Sequence, residues 1–312
     1  MKTIPNTESA PAHHAGFVTL VGRPNVGKST LMNALLGQKV AAVSPRAQTT
    51  RRKQLGILTL ASAQVVFEDT PGLHIPRHKL GNYMNDVAAA TLEDADVILW
   101  LVDASSAPTA EDVLISERLK ALRRSPTTIL ALNKIDLLAP EALAEREQAF
   151  SALYPPGQIF RLSALNRTGC EILLAALIHN LPEGPAFYDE DAITDFYERE
   201  IAADLIREAA LLHLRDEVPH CTAVRIDQFT ERGETGAYIT ATLFVEKESQ
   251  KGIVIGRKGD MLKKIGSTAR AQIEEMSGRK VYLELRVKVN PDWRDDPESL
   301  RMFGYVMPKE EE

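Results

Sequence analysis

Cysteine is scarce in this 312-residue chain, and no apolar run is long. Cys170 and Cys221 are too few for a disulfide framework and lack metal-ligand spacing, which points to a reducing cytosol. The longest apolar run, VILWLVDA at 97–104, is interrupted by Asp103 and falls far short of the roughly 20 residues that span a bilayer. The opening MKTIPNTESAPAHHAG lacks the apolar centre of a secretion signal. It reads as a disordered tail over 1–15, with His13 and His14 solvated. A formal charge of −6 and a pI near 5.8 argue against a chain coated all over by nucleic acid, although a local basic patch would escape that average. No internal repeat is present.

The chain is 44% hydrophobic and long enough for two cores, at about 150 residues per domain. From 16 to 182, the runs FVTLVG, QLGILTL, QVVFEDT, VILWLVDA, TTILALNK and QIFRLSA read as buried strands. Between them KSTLMNALLG, KLGNYMNDVAAATLEDA, AEDVLISERLKALRR, EALAEREQAFSAL and GCEILLAALIHNL carry the period of amphipathic helices. That alternation predicts an α/β domain with a mostly parallel sheet and helices on both faces. Pro and Gly then break the pattern, marking a linker at 183–191. Residues 192–312 change order: a long helix (ITDFYEREIAADLIREAALLHL), two strands, a helical stretch broken by GRKG, the strand VYLELRVKVN and a short last helix. This is a smaller α+β domain.

GRPNVGKS at 22–29 follows a strand and opens a helix, the context required of a phosphate-binding loop. Gly22 and Gly27 let the loop through Arg23, Pro24, Asn25 and Val26 curl so that its available backbone N–H groups face phosphate oxygens; Lys28 reaches the β- and γ-phosphates, Ser29 can ligate Mg²⁺, and Thr30 continues the helix start. DTPGL follows after two strands: Asp69 would hold Mg²⁺ and Gly72 would offer its amide to the γ-phosphate, with Thr70, Pro71 and Leu73 completing the turn. An aspartate at a strand end is also a common turn former; its place in the order decides for the metal. NKID supplies Asn133 to tie loops together, Lys134 to lie over a base, Ile135, and Asp136 to accept bonds from the N1 and N2 groups of guanine. A buried carboxylate in that role favours GTP over ATP. Ser163 and Ala164 fit a fourth loop, where an amide meets the guanine O6. PRAQTTRRK at 45–53 is the expected switch segment; Thr50, with Thr49 as the alternative, would complete the Mg²⁺ shell when a γ-phosphate is present. Lys28 and Thr50 are the candidate catalytic residues, and Leu73 cannot orient water by hydrogen bonding.

In the second domain VIGRKG at 254–259 contains a G-x-x-G loop, Gly256, Arg257, Lys258 and Gly259, of the kind that clamps single-stranded RNA. Such a loop can equally be a helix–helix turn. Charge favours the first reading: Lys251, Arg257, Lys258, Lys263, Lys264 and Arg270 face only Asp260 across 251–270. A basic face for anionic lipid is the alternative. Val254 and Ile255 would line an apolar groove against bases, or belong to the core.

GRPNVGKS, QTTRR, DTPGL and NKID, followed by LPEGP, VIGRKG, VKVNPDW and FGYV, together resemble the Era family of bacterial ribosome-assembly GTPases over essentially the whole chain after the tail. Double-GTPase relatives would need a second G-x-x-x-x-G-K-S, which is absent. The resemblance implies a P-loop GTPase domain followed by a type II KH fold, GTP hydrolysis with Mg²⁺, and a monomer that binds the 3′ end of 16S rRNA and the small (30S) ribosomal subunit. It implies a cytoplasmic location with peripheral contact at the inner face of the cell membrane. It also implies that Asn25 helps hold a K⁺ ion beside the phosphates, where the other reading is that Asn25 shapes the loop. The N-terminal tail and the acidic Glu310–Glu312 end depart from the family pattern.

Overall fold

The computed structural model describes residues 13–306 apart from Pro45, Ala47 and Glu234. The expectations for the tail up to residue 12, for Pro45 and Ala47 of the switch segment, and for the acidic C-terminus lie outside the described residues.

The six apolar runs form one sheet. Its strands are β1 (His14–Val21), β2 (Gln54–Leu60), β3 (Ala63–Asp69), β4 (Val97–Asp103), β5 (Thr127–Asn133) and β6 (Gln158–Arg161). They lie in the order β2-β3-β1-β4-β5-β6, with β2 antiparallel to β3 and the remaining pairs parallel. Near-continuous burial of β3, β4 and β5 explains their unbroken hydrophobicity, since helices cover both faces. The helices are α1 (Lys28–Leu36), α2 (Lys79–Asp94), α3 (Ala110–Lys120), α4 (Pro140–Leu153) and α5 (Cys170–Asn180). One core lies between the sheet, α1 and α5; the other lies under Trp100, Ile115 and Phe150. Parallel pairing brings the carboxyl ends of β1, β3, β4 and β5 to one rim, with Leu20 beside Asp69 and Asp103 beside Asn133. Ligands of open α/β sheets bind at such a rim.

The second domain pairs β7 (Ala223–Arg232), β8 (Gly236–Val245) and β9 (Lys280–Val289), antiparallel then parallel, so β9 is an edge. Its helices α6 (Glu198–His213), α7 (Glu248–Ile255) and α8 (Asp260–Ser277) pack on one face around Leu205, Ile239, Leu243 and Ile265. A short α9 (Pro297–Met302) is capped by the Asp296 carboxylate, which accepts from Ser299 N.

Two sequence expectations change. His14 starts β1 and its Nδ1 lies 2.9 Å from Leu181 O, while His13 Nδ1 lies 2.8 Å from Gly184 O. Both histidines are hydrogen-bonded parts of the fold, not a solvated tail. The long helix begins at Glu198, not near 193, because Ile193 O accepts from Ile57 N (2.8 Å) on β2. The linker is pinned as well, with the amides of Phe187 and Tyr188 both donating to Gln64 Oε1.

Candidate nucleotide site and nucleic-acid groove

The loop between β1 and α1 turns through positive φ at Asn25 (66°) and Gly27 (102°), a conformation asparagine tolerates better than most residues. One pocket is lined by Pro24, Asn25, Gly27, Lys28, Ser29 and Thr30 of this loop and helix start, by Gln48, Thr49 and Thr50 of the switch segment, by Val43 just before it, and by Gly72. Gly72 is required by close approach: a Cβ there would stand 2.7 Å from Pro24 N.

Lys28 is buried, and its Nζ donates to the carbonyls of Gly22 (3.0 Å) and Arg23 (3.3 Å). Burial pulls its ammonium down to about 8, against the attraction of Asp69. Ser29 Oγ donates to Asp69 Oδ2 at 2.6 Å, Thr50 Oγ1 does so at 3.0 Å, and the two hydroxyls are 2.9 Å apart. Burial pushes the Asp69 carboxyl up, opposed by Lys28 and these hydroxyls. The other oxygen, Oδ1, is buried without a hydrogen-bond partner. An all-oxygen set with one orphaned carboxylate oxygen fits a hard divalent cation such as Mg²⁺. Between the adjacent threonines the structure brings only Thr50 to Ser29 and Asp69, since Thr49 Oγ1 donates to Arg46 O.

Other motif residues serve as scaffold. Arg23 turns to Ser106 (2.9 Å) and Asp112 (3.4 Å), next to α3. Val26 is core; Thr70 donates to Leu20 O, and Pro71 is buried. Leu73 is 1% exposed and packs with Val21, Ala88 and Trp100, facing away from the pocket. Asn133 ties the rim together: Nδ2 donates to Val26 O (2.7 Å) and Oδ1 accepts from Ala164 N (2.9 Å). Ser163 N donates to Thr168 O, so neither the Ser163 nor the Ala164 amide is turned to an incoming base, contrary to expectation. Lys134 Nζ pairs with Asp103 at 2.7 Å; burial would raise that carboxyl, but Lys134 and Ser105 outweigh it and hold it below the usual range. Ile135 packs on the core beneath, and Asp136 is exposed, not buried as the sequence reading supposed.

The switch segment and the residues flanking it carry contacts that sequence reading missed. Glu208 accepts from Lys39 Nζ and Val43 N (2.9 Å each) and from Gln272 of α8 (2.6 Å). Arg207 donates to the carbonyls of Gln48 and Thr49, Arg46 to those of Leu211 and Leu214, and Arg51 to those of Thr222 and His220. Asp204 accepts from Gln54 at 2.7 Å. Asp204, Arg207 and Glu208 are buried at helical spacing on α6, a charged stripe that was the available signal. Leu80 and Met84 of α2 join Trp293, Phe303 and Tyr305 in an apolar cluster, so the two domains also share a core.

In the second domain, α7 ends at Gly256 (φ 74°), where a Cβ would lie 2.3 Å from Asp260 Oδ1; Lys258 (53°) and Gly259 (84°) complete the turn into α8. Arg257, Lys258, Lys263, Lys264 and Arg270 are exposed, and Lys251 is half-buried beside Glu248. A groove of about 420 Å³ runs between α8 and β9, lined by Gly259, Leu262, Lys263, Arg270, Tyr282 and Leu285 among others. Val254 is a correction: it is 0% exposed in the core and cannot meet a base, while Ile255 is half-buried. The apolar lining comes instead from Leu262, Leu283 and Leu285.

Comparison with known proteins agrees over both domains. Residues 17–134 match the family model described as 50S ribosome-binding GTPase, and residues 217–294 match the KH domain model. The chain is 45% identical over 294 residues to the GTPase Era of Ruminiclostridium cellulolyticum, covering 94% of this chain and 98% of that one. It is 46% identical over 291 residues to the GTPase Era of Geotalea uraniireducens, covering 93% and 97%. Among solved structures it is similar to Era in complex with MgGDPNP and nucleotides 1506–1542 of 16S ribosomal RNA, with a TM-score of 0.89, 40% identity, and coverage of 94% and 99%. An Aquifex aeolicus Era variant bound to GDP·AlF₄⁻ gives 0.88, again at 40% identity and the same coverage. Among the described residues no helix is long and apolar enough to cross a membrane. The chain belongs to the Era family of GTPases, a P-loop GTPase domain followed by a KH domain.

Proposed function

We propose that residues 16–182 bind and hydrolyse GTP while residues 192–312 bind the 3′ end of 16S rRNA during small-subunit assembly. The switch segment couples the two as a monomeric, nucleotide-gated device. The observation that carries this reading is that one stretch of chain serves both sides: Thr50 stands at Ser29 and Asp69, the neighbouring carbonyls of Gln48 and Thr49 accept from Arg207 of α6, and Val43 just before the stretch donates to Glu208.

In this reading Lys28 places its charge on the β- and γ-phosphates, the Gly72 amide meets the γ-phosphate, and Asp136 accepts from guanine. Ser29, Thr50 and Asp69 would hold Mg²⁺, which when bound offsets charge on the phosphate oxygens. Leu73 is buried and supplies no hydrogen bond to water, so hydrolysis is slow. Asn25 assists by holding K⁺ beside the phosphates. The exposed amines and guanidinium groups around 256–270 attract the RNA backbone, and the groove takes the bases.

The test compares an RNA copy of the 16S 3′ end with anionic vesicles, each with a GTP analogue, with GDP and with neither. Arg257→Asp combined with Lys258→Asp should weaken RNA binding by about tenfold or more through lost phosphate contacts. Unchanged RNA affinity removes the groove from the reading, and affinity blind to nucleotide removes the coupling. We place the protein in the cytoplasm; the vesicle arm examines contact with the inner face of the cell membrane.

A further inference from the structure

A column of planar groups crosses the second sheet on the face away from its helices. The Arg232 guanidinium of β7 lies 4.8 Å from the Tyr238 ring centre on β8. Tyr238 stacks in turn on its register partner Tyr282 of β9, with centroids 5.4 Å apart and planes 12° from parallel. Tyr238 Oη donates to Glu284 Oε2, and Glu284 is itself paired with Arg286 at 2.8 Å, which fixes the ring and neutralises the nearby carboxylate. The column stops at Tyr282 because β9 is the sheet edge.

Tyr282 is 63% exposed. One ring face is covered by Tyr238, so the other is free to continue the stack. Tyr282 also lines the groove between α8 and β9, together with the exposed Lys263 and Arg270. A cross-strand aromatic pair can serve the sheet alone. Here the core face of β9 is already filled by Val281, Leu283, Leu285 and Val287, so a large exposed ring adds little to it.

We propose that Tyr282 is a stacking site for a nucleobase of single-stranded RNA, beyond the stretch held by residues 256–259. The inference rests on the groove being an RNA site. Its chemistry is that of sequence-tolerant base–aromatic stacking, with the ring already positioned and Lys263 and Arg270 placed for the adjoining phosphates.

The experiment uses the full chain and single-stranded RNAs of four to twelve nucleotides, with 2-aminopurine placed at successive positions. In the parent protein one position should be quenched by stacking. Tyr282→Trp should keep that signal, whereas Tyr282→Ala should abolish it and weaken the longer RNAs about tenfold while leaving the four-nucleotide RNA unchanged. Equal losses at every length, or unchanged quenching in Tyr282→Ala, would overturn the proposal. The Arg257→Asp and Lys258→Asp pair is the separate control: if RNA binding survives it, the groove reading fails whatever Tyr282 does.

Discussion

The nucleotide pocket and the RNA groove hold their charges in opposite ways. In the pocket the charged Lys28 and Asp69, and the neutral Asn133 beside them, are buried, and their polar atoms are aimed by Gly22, Val26 and Ser29 of the phosphate loop, by Thr50 and by Ala164. In the groove Arg257, Lys258, Lys263 and Arg270 stand in solvent on one turn and one helix. A buried, positioned charge acts at a single point and is costly to lose; an exposed field acts additively and is screened by salt. The first arrangement suits chemistry on one bond, and the second suits docking of a repetitive polyanion.

Substitutions can break this contrast or sharpen it. Lys28→Ala should have the largest effect, lowering GTP hydrolysis at least about a hundredfold, because it removes a buried positive charge that lines the phosphate pocket. Phosphate release measures it, and RNA affinity without nucleotide should be unchanged. A loss of less than tenfold would show that the buried charge is not the point of action. Asp136→Asn probes the one exposed carboxylate assigned to the pocket. Preference should move from GTP toward xanthosine triphosphate by about a hundredfold in a competition assay, and an unchanged preference removes Asp136 from base recognition. Replacing K⁺ by Na⁺ should have the smallest effect, slowing hydrolysis by about tenfold. Equal rates would leave Asn25 with only the backbone role that its positive φ already explains.

Local motifs were legible from sequence where the physics is local. GRPNVGKS and DTPGL announce themselves because a phosphate needs amides, a lysine and oxygen ligands within short stretches at strand ends. The six strands were legible for the same reason, as buried apolar runs. What was hidden depends on distant partners. Nothing adjacent to Val43 signals that its amide meets Glu208, 165 residues later. Whether Thr49 or Thr50 faces the metal site depends on Arg46 O and Arg207, which together turn Thr49 away. Val254 looked like groove lining because an apolar residue beside a glycine turn faces either side, and only the sheet packed against it decides. Tyr238 and Tyr282 are 44 positions apart and meet only through strand register.

The grip of α6 on the switch segment sets a thermodynamic symmetry. Thr50 and the carbonyls held by Arg207 belong to the same few residues, so the two domains share one conformational coordinate there. By linkage, whatever factor a γ-phosphate applies to the affinity for RNA, bound RNA must apply to the affinity for GTP over GDP. On the proposed reading, bound RNA is therefore as much an effector of the nucleotide state as the nucleotide is of RNA binding.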